Sequence, residues 1–350
     1  MEKKKRSYKS MKVSLKTIAE YLNVSVATVS WVLSGLGDEK KISLSTQERV
    51  LACAKEMDYR PNMLARALNS GRSNTVGLII PSIADSFYSG VAKAIERTLD
   101  NLKYSLMICS SESDGKREER MINMLKSYQV DGIIIAPTKK TKDEIQKLID
   151  EDYPVVFFDR FFSDLTTNYV IINNEESSFS LVEHLILKGA RKIAILTTNP
   201  HLLTLNFRMD GYINALKKYD IEVNDNLIKI IDIHNYEEKL PGALDEIFEK
   251  EPDVDGFFFT THILAMEAFK YFMNHNIDYN KFELASIHEE SLFPLIAPQI
   301  NVALMPIPDI GKKVVEILLK QINLKESNST IDTCQPVDQV TIPCKLIYRD

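Results

Sequence analysis

The chain of 350 residues is poor in the residue types that build crosslinked or fibrous proteins. It has 4 cysteines and 1 tryptophan, and its 12 glycines and 13 prolines are too few for a fibrous or largely disordered chain. No CxxC spacing occurs among the cysteines, which are Cys53, Cys109, Cys334 and Cys344. We therefore expect reduced thiols rather than a disulfide framework.

Long apolar stretches are also missing. No run of about 18 apolar residues occurs, so we expect no transmembrane helix and no membrane partner. The first residues, MEKKKRSYKSMKVS, are basic, but no apolar segment follows them as it would in an export signal. These absences predict a cytoplasmic protein, whose 45% of hydrophobic residues suffice for a sizeable core.

Motifs of enzyme chemistry are missing as well. The sequence contains no GxGxxG, GxxxxGK[ST], GxSxG or HExxH. No close metal-ligand spacing occurs among the six histidines, which are His184, His201, His234, His262, His275 and His288. We expect no enzymatic activity, no cofactor and no metal site.

The charge of the chain is unevenly distributed. The formal net charge is −6, but residues 1–72 hold 14 basic and 7 acidic residues, a net of +7, which leaves −13 for the remainder. A basic head on an acidic body predicts a polyanionic partner for the head alone.

The basic head has the pattern of a helix-turn-helix after a disordered arm, residues 1–12. Apolar residues recur with helical spacing in three short segments, with candidate N-caps at Ser14, Ser25 and Ser45. Gly35 and Gly37 end the second segment. The predicted inner faces are Leu15, Ile18, Ala19 and Leu22, then Val29, Val32 and Leu33, then Val50, Leu51, Ala54 and Met57.

The outer face of the second helix is the candidate DNA-reading surface. It presents Ala27, Ser30, Trp31 and Ser34, with Val26 and Thr28 on its flanks. In a helix-turn-helix this face enters the major groove, and hydroxyls such as those of Ser25, Thr28 and Ser30 hold phosphates. A helical scaffold that packs on another protein is the alternative interpretation.

Two segments, SLKTIAEYLNVSVATVSWVLSG and STQERVLACAKEMDYRPNMLARALNSGRSNTVGLIIP, closely resemble the N-terminus of LacI/GalR-type transcriptional regulators. The shared motifs are the IA…VS.ATVS.VL core, the RPN..AR.L hinge and the NTVGLI.P start of the effector domain. The resemblance implies that Val26, Ala27 and Trp31 hold base-reading positions. Because the family usually has Arg where Trp31 stands, the operator half-site should differ from the family's usual one.

Within the hinge, residues 61–73, the segment from Asn62 to Leu68 is by its own sequence an exposed linker, because seven residues are too short to hold a helix alone. The resemblance implies instead that it folds on DNA, pairs across a dimer and places Leu68 as a wedge in the minor groove. The full DNA-binding set is then Thr17, Ser25, Val26, Ala27, Thr28, Ser30, Trp31, Ser34, Asn62, Ala65 and Leu68.

From residue 74 onward, short apolar runs alternate with helical patterns, which is typical of parallel sheets in βαβ units. The runs are 76–80, 105–109, 132–136, 155–158, 193–196, 256–259 and 284–287, and helices are expected at 88–102, 117–128 and 176–188. VDGIIIAP at 130–137 is similar to VDGFFFTT at 254–261, and VVFFD at 155–159 is similar to LASIH at 284–288. This similarity suggests an internal duplication, which predicts two similar α/β lobes with a ligand cleft between them.

The fold class is therefore a small all-α helix-turn-helix head, residues 1–60, joined to an α/β body with two lobes. The resemblance identifies the body, residues 74–350, as a periplasmic-binding-protein-like effector and dimerisation domain with doubly wound parallel sheets. We expect an N-lobe at about 74–162 plus 306–324, and a C-lobe at about 168–300 plus 330–350.

Ligands of open α/β sheets lie beyond the carboxyl ends of the strands. This rule selects the segments 83–88, 159–160, 197–198, 260–262 and 288–290. The resemblance implies that Arg208, in the family's R..GF/Y pattern, clamps the effector, and that polar and aromatic partners surround it. The predicted effector site is Phe87, Tyr88, Asp159, Thr198, Arg208, His262 and His288.

Two of these residues depart from the family pattern. The family has Asp where His262 and His288 stand, and histidine donates, accepts or carries charge near neutral pH. One hypothesis is an acidic or phosphorylated effector, another is a site that has lost its ligand, and a third is that His262 is merely structural.

The sequence thus predicts a sequence-specific transcriptional regulator, most simply a repressor. A homodimer would bind double-stranded DNA at a pseudo-palindromic operator, because one small head contacts too few bases and phosphates alone. A small molecule, a sugar or related metabolite, would act from the cleft between the lobes. The main alternative is a solute-binding protein of the same fold, and an α/β enzyme is a second one.

Overall fold

The computed structural model describes residues 13–59, 71–198, 203–326 and 337–349. The chain divides into two compact units, Met1–Ser73 and Asn74–Asp350. The predicted basic arm and the hinge residues Asn62, Ala65 and Leu68 lie outside the described residues, so the expectations for them stay predictions.

The described part of the head contains three helices, α1 (Leu15–Leu22), α2 (Val26–Leu33) and α3 (Leu44–Glu56). Ser14 and Ser25 cap the first two helices as predicted, with their hydroxyls accepting from the backbone N–H groups of Thr17 and Thr28. After α2 the chain turns through Gly35 at a φ of +75°, a conformation that glycine adopts without steric cost. The core of the head is Ile18, Ala19, Val29, Val32, Val50, Cys53 and Ala54.

The third helix differs from the prediction in two respects. Its N-cap is Ser43 rather than Ser45, and the hydroxyl of Ser43 accepts from the backbone of Thr46. Leu51, predicted to be buried, is 51% exposed, and Cys53 is buried instead. The reason is helical geometry, since Val50 and Cys53 lie three residues apart on one stripe while Leu51 is rotated away from it.

The body is built from twelve described strands and nine described helices. The strands are β1 (Thr75–Ile80), β2 (Ser105–Ser110), β3 (Gly132–Ile135), β4 (Val155–Phe158), β5 (Asn168–Ile172), β6 (Ile193–Thr198), β7 (Ile228–Ile231), β8 (Gly256–Phe259), β9 (Glu283–Ile287), β10 (Asn301–Leu304), β11 (Gln339–Ile342) and β12 (Lys345–Ile347). The helices are α4 (Ser86–Asn101), α5 (Gly115–Ser127), α6 (Lys142–Asp150), α7 (Asn174–Leu187), α8 (Leu203–Lys218), α9 (Tyr236–Lys250), α10 (His262–Asn274), α11 (Phe293–Ile296) and α12 (Ile307–Glu326). Short 3₁₀ turns lie at Lys139–Thr141, Asp225–Leu227 and Tyr279–Lys281.

Two six-stranded sheets form the two lobes. The N-lobe sheet has the order β11-β5-β4-β3-β1-β2 and its pairings are parallel. The C-lobe sheet has the order β12-β10-β9-β8-β6-β7, in which only the β12–β10 pairing is antiparallel. Helices cover both faces of each sheet, and the two strand orders match position by position.

The seven predicted strands and three predicted helices are present, with ends shifted by at most a few residues. Sequence patterns missed β5, β7, β10, β11 and β12, which are short or carry polar residues among apolar ones. β2 is an edge strand with Ile108 45% exposed, so it is not buried on both faces as expected.

The expected lobe boundaries are wrong at two strands. β5, residues 168–172, was expected in the C-lobe but pairs with β4 of the N-lobe sheet. β11, residues 339–342, likewise pairs with β5 and not with the C-lobe. Sequence alone could not place these strands, because each gains its partner only when distant segments meet.

Candidate functional site

The exposed face of α2 presents the side chains that were predicted to meet DNA bases. Val26 is 44% exposed and Trp31 is 39% exposed, while Val29 and Val32 of the same helix are buried. Ala27 and Ser34 are also exposed, and Ser30 is half-buried. The helix therefore buries one face in the head and leaves the other free.

The hydroxyls at the starts of α1 and α2 are partly committed to capping. Ser25 Oγ lies 2.8 Å from Thr28 Oγ1, and Ser14 Oγ lies 3.0 Å from Thr17 Oγ1. Each pair can still offer one hydrogen bond to a phosphate oxygen while it caps its helix. Thr17, Ser25 and Thr28 thus have structural roles beside the predicted DNA role.

A cavity of about 470 Å³ lies between the lobes of the body. Its walls are segments that follow the carboxyl ends of strands in both sheets, as the strand-end rule predicts. Six of the seven predicted effector residues line it, namely Phe87, Tyr88, Asp159, Thr198, Arg208 and His262. His288 is not among its described lining residues and lies behind them.

Arg208 on α8 is held rigidly at the wall of this cavity. Its Nε donates to Asn174 Oδ1 at 2.8 Å, and its Nη1 donates to the carbonyl of Thr260 at 2.6 Å. The side chain is buried, which lowers the pKa of its guanidinium from the ordinary value. These two bonds orient the guanidinium before any ligand arrives.

Asp159 follows β4 and connects three groups. Its Oδ2 accepts from the Tyr88 hydroxyl at 2.6 Å and lies 3.7 Å from Arg160 Nε. Its backbone carbonyl accepts from the hydroxyl of Thr204, which belongs to α8 of the opposite lobe. Burial raises the pKa of Tyr88 well above its ordinary value, so its hydroxyl remains a proton donor at neutral pH.

His262, the first residue of α10, contacts the N-lobe directly. Its Nε2 lies 3.2 Å from Ser86 Oγ, 3.3 Å from Glu290 Oε1 and 3.7 Å from Asp85 Oδ1. Ser86 also donates to the Glu290 carboxylate. Burial, reinforced by the charge of Arg208, lowers the pKa of His262 to about 4, so the ring is neutral at pH 7.

His288 follows β9 and packs edge-on against Phe87 and His262, with ring centroids 5.8 Å and 5.3 Å apart. Burial also lowers its pKa to about 4. Its Nδ1 is buried without a hydrogen-bond partner among the described residues. It therefore supports the cavity wall from behind.

Asp85, Ser86 and Glu290 were not among the predicted effector-site residues. The strand-end rule had selected their segments, but the pattern alone did not show that these residues meet across the cleft. Asp85 Oδ1 caps α4 by accepting from the backbone of Phe87 and Tyr88, and burial raises the pKa of Asp85 to about 6. The sequence signal that could have identified Asp85 is its residue type, because Asp is a preferred helix N-cap and this residue directly precedes α4.

Within the described ranges, no group of three or more His, Cys, Asp or Glu side chains is arranged to hold a metal ion. The helices of those same ranges include none that is long and apolar enough to cross a bilayer.

The comparisons with known proteins agree with this architecture. A family model described as "Bacterial regulatory proteins, lacI family" matches residues 14–62. A second, described as "Periplasmic binding proteins and sugar binding domain of LacI family", matches residues 73–271. The two matches follow each other along the chain in the order of head and body.

Curated relatives match along nearly the full length. "Probable HTH-type transcriptional regulator EndR" of Paenibacillus polymyxa is 30% identical over 91% of this chain and 93% of its own. The catabolite control protein A of Priestia megaterium is 28% identical over 97% of this chain and 99% of its own.

A solved structure of the Lac repressor dimer, bound to operator and the anti-inducer ONPF, has the same fold. Its TM-score is 0.81 over 97% of this chain and 98% of that chain, at 20% sequence identity. The predictions of family, fold class and regulatory function are confirmed. The chain belongs to the LacI family of bacterial transcriptional regulators, with a helix-turn-helix head and a two-lobed domain of the periplasmic-binding-protein type.

Proposed function

We propose that the protein is a cytoplasmic repressor that binds a pseudo-palindromic operator as a homodimer and responds to a small polar molecule in the cleft. The observation that carries this proposal is the pairing, in one chain, of an exposed α2 face with a cavity between two lobes. Curated relatives of nearly equal length include proteins named transcriptional regulators, and we propose no catalytic role.

On the DNA side, we propose that Val26, Ala27 and Trp31 contact bases, while the hydroxyls of residues 17, 25, 28, 30 and 34 contact phosphates or sugars. The hinge residues Asn62, Ala65 and Leu68 complete the proposed interface, with residues 1–60 as the head and 61–73 as the hinge. Exposed cations of the head, including Lys41 and Lys55, add salt-dependent attraction to the duplex.

On the ligand side, the charges of the cavity disfavour an acidic effector, contrary to one sequence-based hypothesis. Asp85, Glu112, Asp159 and Glu290 line the cavity, against two guanidinium groups. The Arg208 guanidinium already donates to Thr260, and the Arg160 guanidinium already lies beside the Asp159 carboxylate. The side chains of His262 and His288 are neutral at pH 7. A hydroxyl-rich ligand without negative charge, such as a neutral sugar, fits these donors and acceptors best.

Ligand and DNA are coupled through the angle between the lobes. In this structure the lobes are joined by the Ser86–Glu290 and Ser86–His262 contacts and by the bond from Thr204 to Asp159. A ligand that replaces these contacts changes the relative angle of the lobes and hence the spacing of paired hinges. Coupling of this kind is typically about 1–3 kcal/mol.

The edge strands are the proposed dimer contacts. Ile108 of β2 and Ile230 of β7 are 45% and 52% exposed at the corresponding edges of the two sheets. Unpaired strand edges with exposed apolar residues are normally covered by another surface. A second copy of the chain would cover both edges, and the resulting dimer would carry two heads for the two half-sites.

Selection of DNA by the full-length chain tests the proposal. Purified protein is incubated with a random duplex pool at several salt concentrations, and the bound fraction is sequenced. A repressor of this type enriches palindromes and loses affinity steeply as salt rises. Enrichment of no sequence, together with tight sugar binding, would instead support the solute-binding alternative.

A further inference from the structure

The exposed face of α2 lacks every side chain that forms two hydrogen bonds with a base edge. Its sequence, VATVSWVL, contains no Arg, Lys, Asn or Gln. Bidentate contacts to guanine need Arg or Lys, and those to adenine need Asn or Gln. Hydrogen-bonded recognition of a purine by this helix is therefore confined to single contacts, which come from the hydroxyls of Thr28, Ser30 and Ser34 and from the Trp31 indole N–H.

What the helix offers instead is apolar surface. Val26 and Trp31 expose 44% and 39% of their surface on the side opposite the buried Val29 and Val32. The hydroxyl of Thr28 is hydrogen-bonded to Ser25 Oγ at 2.8 Å, so this capping pair offers one further hydrogen bond at most. The 5-methyl group of thymine is the one apolar feature that a base pair presents in the major groove.

We propose, building on the DNA-binding function proposed above, that α2 recognises its half-site through thymine methyl groups packed against Val26, Ala27 and Trp31. The half-site then carries A·T pairs, with thymines facing the helix, where α2 crosses the groove. Trp31 is the main specificity-determining residue, because its ring has the largest apolar area on this face.

Cations of the head lie on other elements and supply affinity without this specificity. Lys16 is on α1, Lys41 follows α2, and Arg49 and Lys55 are on α3. Because the proposed phosphate contacts come from these cations and the proposed base contacts come from α2, substitutions can measure the two contributions to DNA affinity separately.

Replacement of thymine by deoxyuridine in the selected operator tests the proposal, because it removes the methyl group and keeps every hydrogen-bonding group. We expect deoxyuridine at a contacted position in one half-site to weaken binding by about fourfold, the effect of one buried methyl group. Deoxyuridine in the flanking DNA is the control and leaves affinity unchanged. An operator with 5-methylcytosine at a contacted position should bind more tightly than the same operator with cytosine at that position.

Protein variants assign the effect to α2. Trp31→Ala should abolish the loss of affinity that deoxyuridine causes at the base contacted by Trp31. Leu51→Ala, which alters an exposed apolar residue on α3, should leave the effect of deoxyuridine unchanged at every position. Both changes are at exposed sites, and thermal unfolding checks that the variants fold.

Two results would overturn the proposal: selected half-sites with guanines along α2, or affinity that is indifferent to deoxyuridine at every position. Failure to select any sequence is a different result, since it contradicts the proposed DNA-binding function itself.

Discussion

Asp159 and His288 occupy equivalent positions in the two lobes. Each is the first residue after its strand, β4 or β9, with left-handed φ values of +62° and +70°. Each donates its backbone N–H to the next strand, Asp159 to Val170 of β5 at 3.0 Å and His288 to Ala303 of β10 at 2.9 Å. The duplication suggested by VVFFD and LASIH is thus a true structural repeat, with a carboxylate in one copy and an imidazole in the other.

Stability should fall in mild acid. The pKa of His262 and of His288 is about 4 in the folded protein against an ordinary 6.5, so the unfolded chain binds more protons between these values. Asp85, whose pKa burial raises to about 6, and Glu118, whose pKa burial also raises, act in the opposite direction and offset part of the histidine effect. We expect unfolding free energy to drop by on the order of 1–3 kcal/mol from pH 7 to pH 5.

Thermal unfolding as a function of pH measures this effect. His288→Asn removes one titrating ring, and asparagine tolerates the left-handed backbone, so the pH dependence should become weaker. His275→Gln, which changes an exposed histidine, is the control. An equally steep dependence in His288→Asn would contradict the assignment.

Arg208→Lys should impair the ligand response and leave operator binding intact. A lysine cannot maintain both the bond to Asn174 and the bond to Thr260, because its ammonium lacks the planar geometry of a guanidinium. We expect a loss of ligand affinity of tenfold or more, measured by calorimetry, and an operator affinity within about twofold of the parent. If operator binding collapses as well, Arg208 is primarily structural.

Ser86→Ala should loosen the contact between the lobes. The serine hydroxyl bonds to Glu290 and His262 of the opposite lobe, and its loss leaves a partly buried carboxylate without that donor. We expect a cost of about 1–3 kcal/mol to the lobe arrangement of this structure, seen as a larger radius of gyration by solution scattering. Ser127→Ala, at an exposed serine of α5, should have no such effect. Equal radii for the two variants would refute the bridging role.

Gly211→Ala and Gly242→Ala should change stability in opposite directions. A Cβ at Gly211 on α8 would lie 2.3 Å from the carbonyl of Glu175, whereas one at Gly242 on α9 meets nothing within 4 Å. We expect Gly211→Ala to destabilise by about 1–3 kcal/mol through overpacking. Gly242→Ala should stabilise by about 0.5–1 kcal/mol through helix propensity. Denaturant unfolding of both variants checks the pair, and a stable Gly211→Ala protein would mean that α7 and α8 can separate without cost.

Local patterns were reliable where a segment's own side chains determine its structure. Ser14 and Ser25 cap their helices as predicted, and Val29 and Val32 are buried as their spacing requires. Runs such as 132–135 and 256–259 are strands because uninterrupted apolar residues need cover on both faces. Leu51 was misplaced because α3 begins two residues earlier than predicted and its buried stripe contains Val50, Cys53 and Ala54.

The amino-acid sequence by itself determined the head, the alternating α/β body and the family, because caps, hydrophobic periodicity and motif order are local properties of the chain. Tertiary structure alone decided that β5 and β11 join the N-lobe, that Ser86 meets Glu290 and His262, and that His288 lies behind the cavity instead of lining it. These relationships join residues that are far apart along the chain. They arise only when two sheets assemble and burial decides which polar groups become neighbours.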